Sequence, residues 1–424
     1  MTAETETTST TRNSRSSVWL LRFISVEAAS GTVLLLAAVT AFLWANSPWA
    51  SAYEVPWQIE LGFGLERYLP HHDLRFWIND GLMTIFFLVV GLEIRREIHD
   101  GALSNPKVAT LPIVAAAGGV LVPALIYLLV SSPATRRGWA IPTATDIAFA
   151  LGVLSLIGRV PAALRMLLLT LAIVDDIAAI LVIAFFYSSG IAPGGLLLAA
   201  AGVALVLLLQ WLSVRPALAY VVPGAIVWFG MLSAGVHPAV AGVVLGLLTP
   251  VSAYFGRRSR RASSAAAGTA ADPLALRSPV ERVELRLHPY VAFAIMPLFA
   301  LANAGVSLEG LTLTAGAPLT IGVGVVLGLV LGKPLGIWLA SFAAVKLGLC
   351  ALPAGIRWRH VVLLGVLGGI GFTLSIFISN LAFTAGKLLT AAKFSVLVAS
   401  AVAATLGLLL GRRLPACPAL GASE

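Results

Sequence analysis

The sequence predicts an all-α integral membrane protein of about twelve transmembrane helices, with an inverted repeat relating spans 3–5 to spans 10–12 and interrupted helices at spans 4 and 11. Three observations carry this. Of 424 residues, 59% are hydrophobic and only 11% charged, too little charge to cover a soluble surface. The mean hydropathy is +0.95, and apolar runs near the length of a bilayer crossing recur along the whole chain. The basic residues alternate in density from one connecting segment to the next, as in a polytopic protein.

By length the span cores fall near 26–45, 76–95, 108–130, 139–158, 164–187, 194–213, 216–233, 236–252, 288–307, 317–345, 360–384 and 390–411. With the N-terminus cytoplasmic and sides alternating, 21 of the 28 Lys and Arg lie in cytoplasmic segments. Six lie outside (Arg67, Arg75, Arg136, Arg137, Lys387 and Lys393), and Lys333 is left within the membrane. This bias orients the chain in its membrane with both termini inside. It also explains the net charge of +9 without a nucleic-acid partner.

Residues 1–22 are polar and read as a disordered tail. Arg12, Arg15 and Arg22 precede an apolar run and Ala50-Ser51-Ala52 follows it. A cleaved signal peptide would look similar, but a many-span protein retains its first segment as an anchor. Residues 23–413 form one twelve-span domain, and 414–424 are a C-terminal tail. Between 46 and 75, Val55, Trp57, Ile59, Leu61 and Phe63 alternate with polar or small residues. That pattern suggests a short strand or hairpin outside the membrane, or an amphipathic surface loop. The cytoplasmic segment 254–286 is basic, then rich in small residues, and reads as a linker. The two cysteines, Cys350 and Cys417, have neither a disulfide framework nor metal-type spacing, and no cofactor is expected.

Ionisable residues inside apolar spans are costly and point to function. Between Asp100 and Asp272 the only acids are Asp146, Asp175 and Asp176, each in mid-span; Lys333 is a fourth such charge. Asp175 and Asp176 point about 100° apart on a helix, so one can line a cavity while the other turns to a neighbouring helix. Two buried carboxylates close together titrate high and hold either protons or a small hard cation. Pro142 breaks the helical hydrogen bonding beside Thr143, Thr145 and Asp146. Gly368, Gly369 and Gly371 weaken the span containing Thr373 and Ser375, although glycines also serve close helix packing. Interruptions at matching places in two halves mark the binding site of an inverted-repeat transporter. Asp146 can offset exposed helix N-termini there and Lys333 exposed C-termini. Lys333 can equally pair with Asp175.

Glu93, Arg95, Arg96 and Glu97 end span 2, and Glu281, Arg282, Glu284 and His288 open span 9 on the same side. They read as a titrating cluster or as ordinary interfacial charges. Asp80 is expected at an interface, His237 in a structural role, and Asn303 in a packing hydrogen bond.

From Phe23 to Arg412 the chain resembles the bacterial NhaA-type Na⁺/H⁺ antiporters. The carriers are WIND (77–80), VGLEIRRE (90–97), GWAIPTATDIAFALGV (138–153), LAIVDDIAAI (171–180), HPYVAFAIMPLFALANAGV (288–306), GKPLGI (332–337) and GIGFTLSIFI (369–378). The resemblance implies that Asp175 and Asp176 bind Na⁺ or Li⁺ and carry protons. It implies that Thr145 and Asp146 belong to the interrupted helix and that Lys333 is the intramembrane lysine. Glu93, Arg96, Glu97, Glu284 and His288 match the pH-sensing region, and Leu285 departs from a family histidine. The implied activity is electrogenic exchange of cytoplasmic Na⁺ or Li⁺ for external protons, by a homodimer activated at alkaline pH and serving sodium and pH homeostasis. Such a protein is a transporter rather than an enzyme, and its partners are its ions and membrane lipid. A Na⁺-coupled solute symporter and an intramembrane aspartyl protease built on Asp146 and Asp175 are the competing readings.

Overall fold

The computed structural model describes residues 29–61, 72–251 and 278–414, apart from 159, 189, 191, 215, 310, 312–314 and 385. The expected N-terminal tail, the tip of the outer hairpin, most of the linker and nearly all of the C-terminal tail lie outside these residues. The helices follow in chain order: α1 (Ala29–Ala45), α2 (Leu74–Asp100), α3 (Pro106–Val130), a 3-10 segment (Arg136–Thr143), α4 (Ile147–Ile157), α5 (Ala162–Phe186), α6 (Pro193–Trp211), α7 (Ala217–Ala234), α8 (Ala239–Leu248), α9 (Pro279–Asn303), α10 (Gly316–Lys346), α11 (Trp358–Gly368), α12 (Phe372–Ala382) and α13 (Lys387–Arg413). Among the described residues nine helical stretches are long and apolar enough to cross a bilayer, and α11 with α12, bent by 46°, makes a tenth; α1 and α8 are apolar but shorter. Leu129, Phe185 and Trp211 stand exposed on the outer surface, which suits a hydrocarbon surrounding.

Burial sorts these helices. About two thirds of the apolar windows in Arg136–Ile157 and α5 are buried inside the protein, against 22% for α6 and α7. The broken element and α5 are therefore the centre, and the α6–α7 pair is a rim. Glycine sets one central distance. A Cβ on Gly336 of α10 would lie 2.1 Å from the carbonyl oxygen of Gly118 on α3, and one on Gly118 would lie 2.2 Å from that of Gly336. The two backbones touch, and this contact seats Lys333 one turn away.

Three helices contain a π turn: Trp77–Leu82 in α2, Val291–Ile295 in α9 and Gly328–Gly332 in α10. The last two precede Pro297 and Pro334. A proline lacks the N–H that would bond the carbonyl four residues back, here Phe293 and Val330, which fall inside the widened turns. In α2 the carbonyl of Asp80 instead accepts from Thr84 Oγ1 and Trp228 Nε1.

Three expectations need correction. Span 9 starts at Pro279, not 288, because Ser278 caps it by accepting the Glu281 N–H and Pro279 suits the first turn; the linker therefore ends before 286. The alternation at 55–59 does not form a strand. Val55–Gln58 is a 3-10 turn opened by Pro56, and among the described residues the strand pairing is Glu60–Leu61, antiparallel, with His72–Asp73. Lys393, counted among the outer loop charges, sits within α13.

The outer segment is fastened by Tyr53. Its hydroxyl donates to the Leu301 carbonyl at 2.8 Å and accepts the Gly305 N–H at 3.2 Å. Burial pushes the phenol from 10.0 up to about 12. Because the folded value is raised, the stability from the neutral hydroxyl is complete below pH 10 and is lost as pH climbs toward 12.

Two outcomes follow from these contacts. Gly336→Ala should cost about 2–3 kcal/mol through backbone overpacking, read as a lowered thermal midpoint in detergent. Gly194→Ala, where a Cβ meets nothing within 4 Å, should leave the midpoint unchanged. The thermal advantage of wild type over Tyr53→Phe should be constant below pH 10 and shrink between pH 10 and 12.

Candidate functional site

The two interruptions cross. Residues Ala144 to Asp146 leave the helical conformation between the 3-10 segment and α4, and Gly369 to Gly371 separate α11 from α12. At the crossing the Asp146 N–H donates to the Ile370 carbonyl at 2.7 Å, and Ser375 Oγ donates to the Ile141 carbonyl at 2.7 Å. Each segment thus satisfies backbone groups that the other's break leaves open, as a dry interior requires.

Two helix N-termini meet here, those of α4 and α12. Asp146 serves both: Oδ1 accepts the Phe149 N–H at 3.0 Å, and Oδ2 accepts the Thr373 N–H at 3.1 Å and the Thr373 hydroxyl. An anion there opposes the positive ends of both helix dipoles. Two C-terminal ends meet on the other side. Lys333 Nζ donates to the Thr143 carbonyl, the last of the 3-10 segment. The Thr145 hydroxyl lies 2.9 Å from the Gly368 carbonyl, the last of α11.

Asp175 and Asp176 are both buried in α5 and diverge. Asp175 Oδ2 is 2.8 Å from Lys333 Nζ and 2.6 Å from Thr145 Oγ1, so the single proton of that hydroxyl serves either Asp175 or the Gly368 carbonyl. Asp176 lines a cleft with Asp146, Glu93, His288 and Thr373. Among the described residues, Oδ1 of Asp175 and Oδ1 of Asp176 have no hydrogen-bond partner. The cleft leaves about 60 Å³ open to the centres of water molecules, room for a few waters or one ion.

At the mouth of the cleft Arg96 pairs with Glu284 across α2 and α9 and lies 3.9 Å from Glu93. Glu284 keeps Oε2 unpartnered and is buried. His288 reaches the same cleft. Glu97 is used differently: its Oε1 accepts the Ala102 N–H at 2.7 Å and closes the turn after α2. Four of the five residues singled out at this end therefore gather around the cleft, and Glu97 serves the backbone.

Residues 21–410 match the family model described as Na⁺/H⁺ antiporter 1. The chain belongs to this family. The Na(+)/H(+) antiporter NhaA of Cupriavidus necator is 53% identical over 419 residues, covering 92% of this chain and 89% of that protein. The Na(+)/H(+) antiporter NhaA 2 of Pseudomonas putida is 54% identical over 417 residues, covering 92% of each. The solved sodium proton antiporter MjNhaP1 of Methanocaldococcus jannaschii aligns with a TM-score of 0.49 at 14% identity, covering 94% of this chain and 99% of that one.

Sequence reasoning missed the polar contacts on the opposite side of the crossing from the cleft. Asp80, expected at an interface, pairs with His237 at 3.1 Å. Asn303, expected to make one packing bond, joins Asn79, Asn380 and Lys393. Isolated asparagines in apolar spans were the available signal.

Lys333→Met should destabilise the protein by about 3–5 kcal/mol, because Asp175 is then a buried charge without its counter-ion. Adding Asp175→Leu should restore most of that loss in thermal unfolding.

Proposed function

We propose that this protein exchanges Na⁺ or Li⁺ for protons across the bacterial inner membrane, by alternating access and with net charge movement. It extrudes cytoplasmic cation against entering protons and so serves sodium and pH homeostasis. The observation that carries this reading is the pair of buried aspartates at the helix crossing: Asp176 faces the cleft and Asp175 is held by Lys333. Membership in a family of Na⁺/H⁺ antiporters supports the choice of ions.

In the proton-loaded state Asp176 carries a proton and Lys333⁺ balances Asp175⁻. A cation entering the cleft takes the Asp176 carboxylate and draws Asp175 from the lysine. Lys333, stripped of its counter-charge in a dry site, releases its proton, and Asp176 releases the other. Two protons leave for one cation bound, so one charge moves per cycle. Na⁺ and Li⁺ suit these oxygen ligands, and Asp146 with Thr145 keeps the crossing in place.

Arg96, Glu284, Glu93 and His288 at the mouth are the proposed pH-responsive group, activating the exchange at alkaline pH. The outer hairpin that the resemblance implies at about 53–69, where Glu60–Leu61 pairs with His72–Asp73, is the proposed contact for a second copy in a homodimer. A cleft of this volume disfavours an organic co-substrate. The aspartyl protease reading is disfavoured because Asp146 serves helix ends while Asp175 faces a lysine, an arrangement unlike two acids sharing one proton.

The test is proton flux in everted vesicles from antiporter-deficient bacteria. NaCl and LiCl should collapse an imposed ΔpH, KCl should not, and the response should strengthen from about pH 6.5 to 8.5, the direction expected of alkaline activation. Asp175→Asn and Asp176→Asn should each abolish the response at normal expression. No response in well-expressed wild type at any pH would reject the exchange.

A further inference from the structure

Along α12, leading away from the cleft, three layers follow one another. Thr373 bonds Asp146 at the crossing. Four residues on, about 6 Å along the helix, Phe377 is enclosed by Phe87 of α2 at 5.5 Å, Phe299 of α9 at 6.2 Å and the His237 ring at 5.2 Å. Three residues further, Asn380 Nδ2 donates to Asn303 Oδ1 at 2.9 Å. Asn303 Nδ2 in turn donates to Asn79 Oδ1 at 2.7 Å and to the Phe299 carbonyl at 3.0 Å. Lys393 Nζ of α13 approaches the same Asn303 Oδ1 at 3.4 Å.

Four elements are joined by this cluster: the π turn of α2, the end of α9, the outer half of the broken span and α13. The phenylalanines of this layer, Phe87, Phe299 and Phe377, fill space with side chains that make no directional bonds. The amides do, and a buried amide that loses its partner is left unsatisfied. Asn303 lies at the centre, using both its oxygen and its amide hydrogens.

We infer that Asn79, Asn303, Asn380 and Lys393 form a clasp that holds α12 against α9 and α13 and keeps the outward path shut over the Phe377 layer. They are positioning residues for the exchange. They touch no ion, but they set how readily α12 swings aside to open the site to the outer face. The inference rests on the alternating-access reading proposed above.

The test uses full-length protein with Cys350→Ser and Cys417→Ser, and Ser379→Cys as a reporter. Ser379 is buried on α12 between the Phe377 layer and Asn380. A membrane-impermeant thiol reagent is applied to right-side-out and to everted vesicles, and proton flux is measured in parallel. With the clasp intact, labelling from the outer face should be slow and should respond to Na⁺. Asn380→Ala should raise the outer-face rate about tenfold, the scale of one buried hydrogen bond of ordinary net worth, and leave labelling from the other face unchanged. Asn79→Ala, which cuts the other arm, should act in the same direction and covers the case in which Asn380→Ala is not produced. Parental labelling rates in both variants, each present at normal levels, would overturn the clasp while leaving the exchange standing. A parent whose vesicles show no Na⁺-dependent proton flux would instead overturn the exchange reading itself.

Discussion

Two helix N-termini face each other in the middle of this protein, and the Asp146 carboxylate accepts hydrogen bonds from both. The arrangement depends on that anion. Without it, the exposed N–H groups of α4 and α12 and the positive ends of their dipoles would sit together in an interior without water. Lys333 answers the same need at the opposing carbonyl end through Thr143. The chain can therefore break two spans at one depth, and broken spans free the space in which Asp176 meets the cleft.

The close contact of Gly118 with Gly336 links this centre to the rest. Because α3 and α10 touch through their backbones, Lys333 reaches the 3-10 segment and Asp175 together. The widened turn at Gly328–Gly332 immediately precedes the lysine and alters the direction in which it leaves the helix. π turns of this kind often sit beside functional groups, and those in α2 and α9 lie next to Asp80 and His288.

Much of this was legible in the sequence. The many-span helical character followed from apolar length, the burial of the acids at 146, 175 and 176 from their isolation, and the breaks from Pro142 and the glycines at 368–371. The divergence of Asp175 and Asp176 followed from helix geometry alone. Pairing was harder. Whether Lys333 turns to a carbonyl, to Asp175 or to both depends on three elements meeting, and the structure has it touching both. The amide cluster was hidden because its members are separated in sequence by 224, 77 and 90 residues, and each alone resembles an ordinary packing residue. The widened turns did have a signal in Pro297 and Pro334, since a proline in mid-span always frees a carbonyl one turn earlier.

The ion pair between Lys333 and Asp175 also decides where voltage acts. Count Asp146 with the two helix ends it balances. Under the proposed exchange the proton-loaded centre, with Asp176 protonated and Lys333⁺ on Asp175⁻, then carries no net charge. The sodium-loaded centre, with two carboxylates, one cation and a neutral lysine, carries one negative charge. An inside-negative potential thus does its work on the outward journey of the loaded carrier, worth about 2.3 kcal/mol per charge for each 100 mV crossed. The return journey with protons is electrically silent. In the proposed cycle the lysine thereby makes sodium expulsion, rather than proton entry, the voltage-sensitive half.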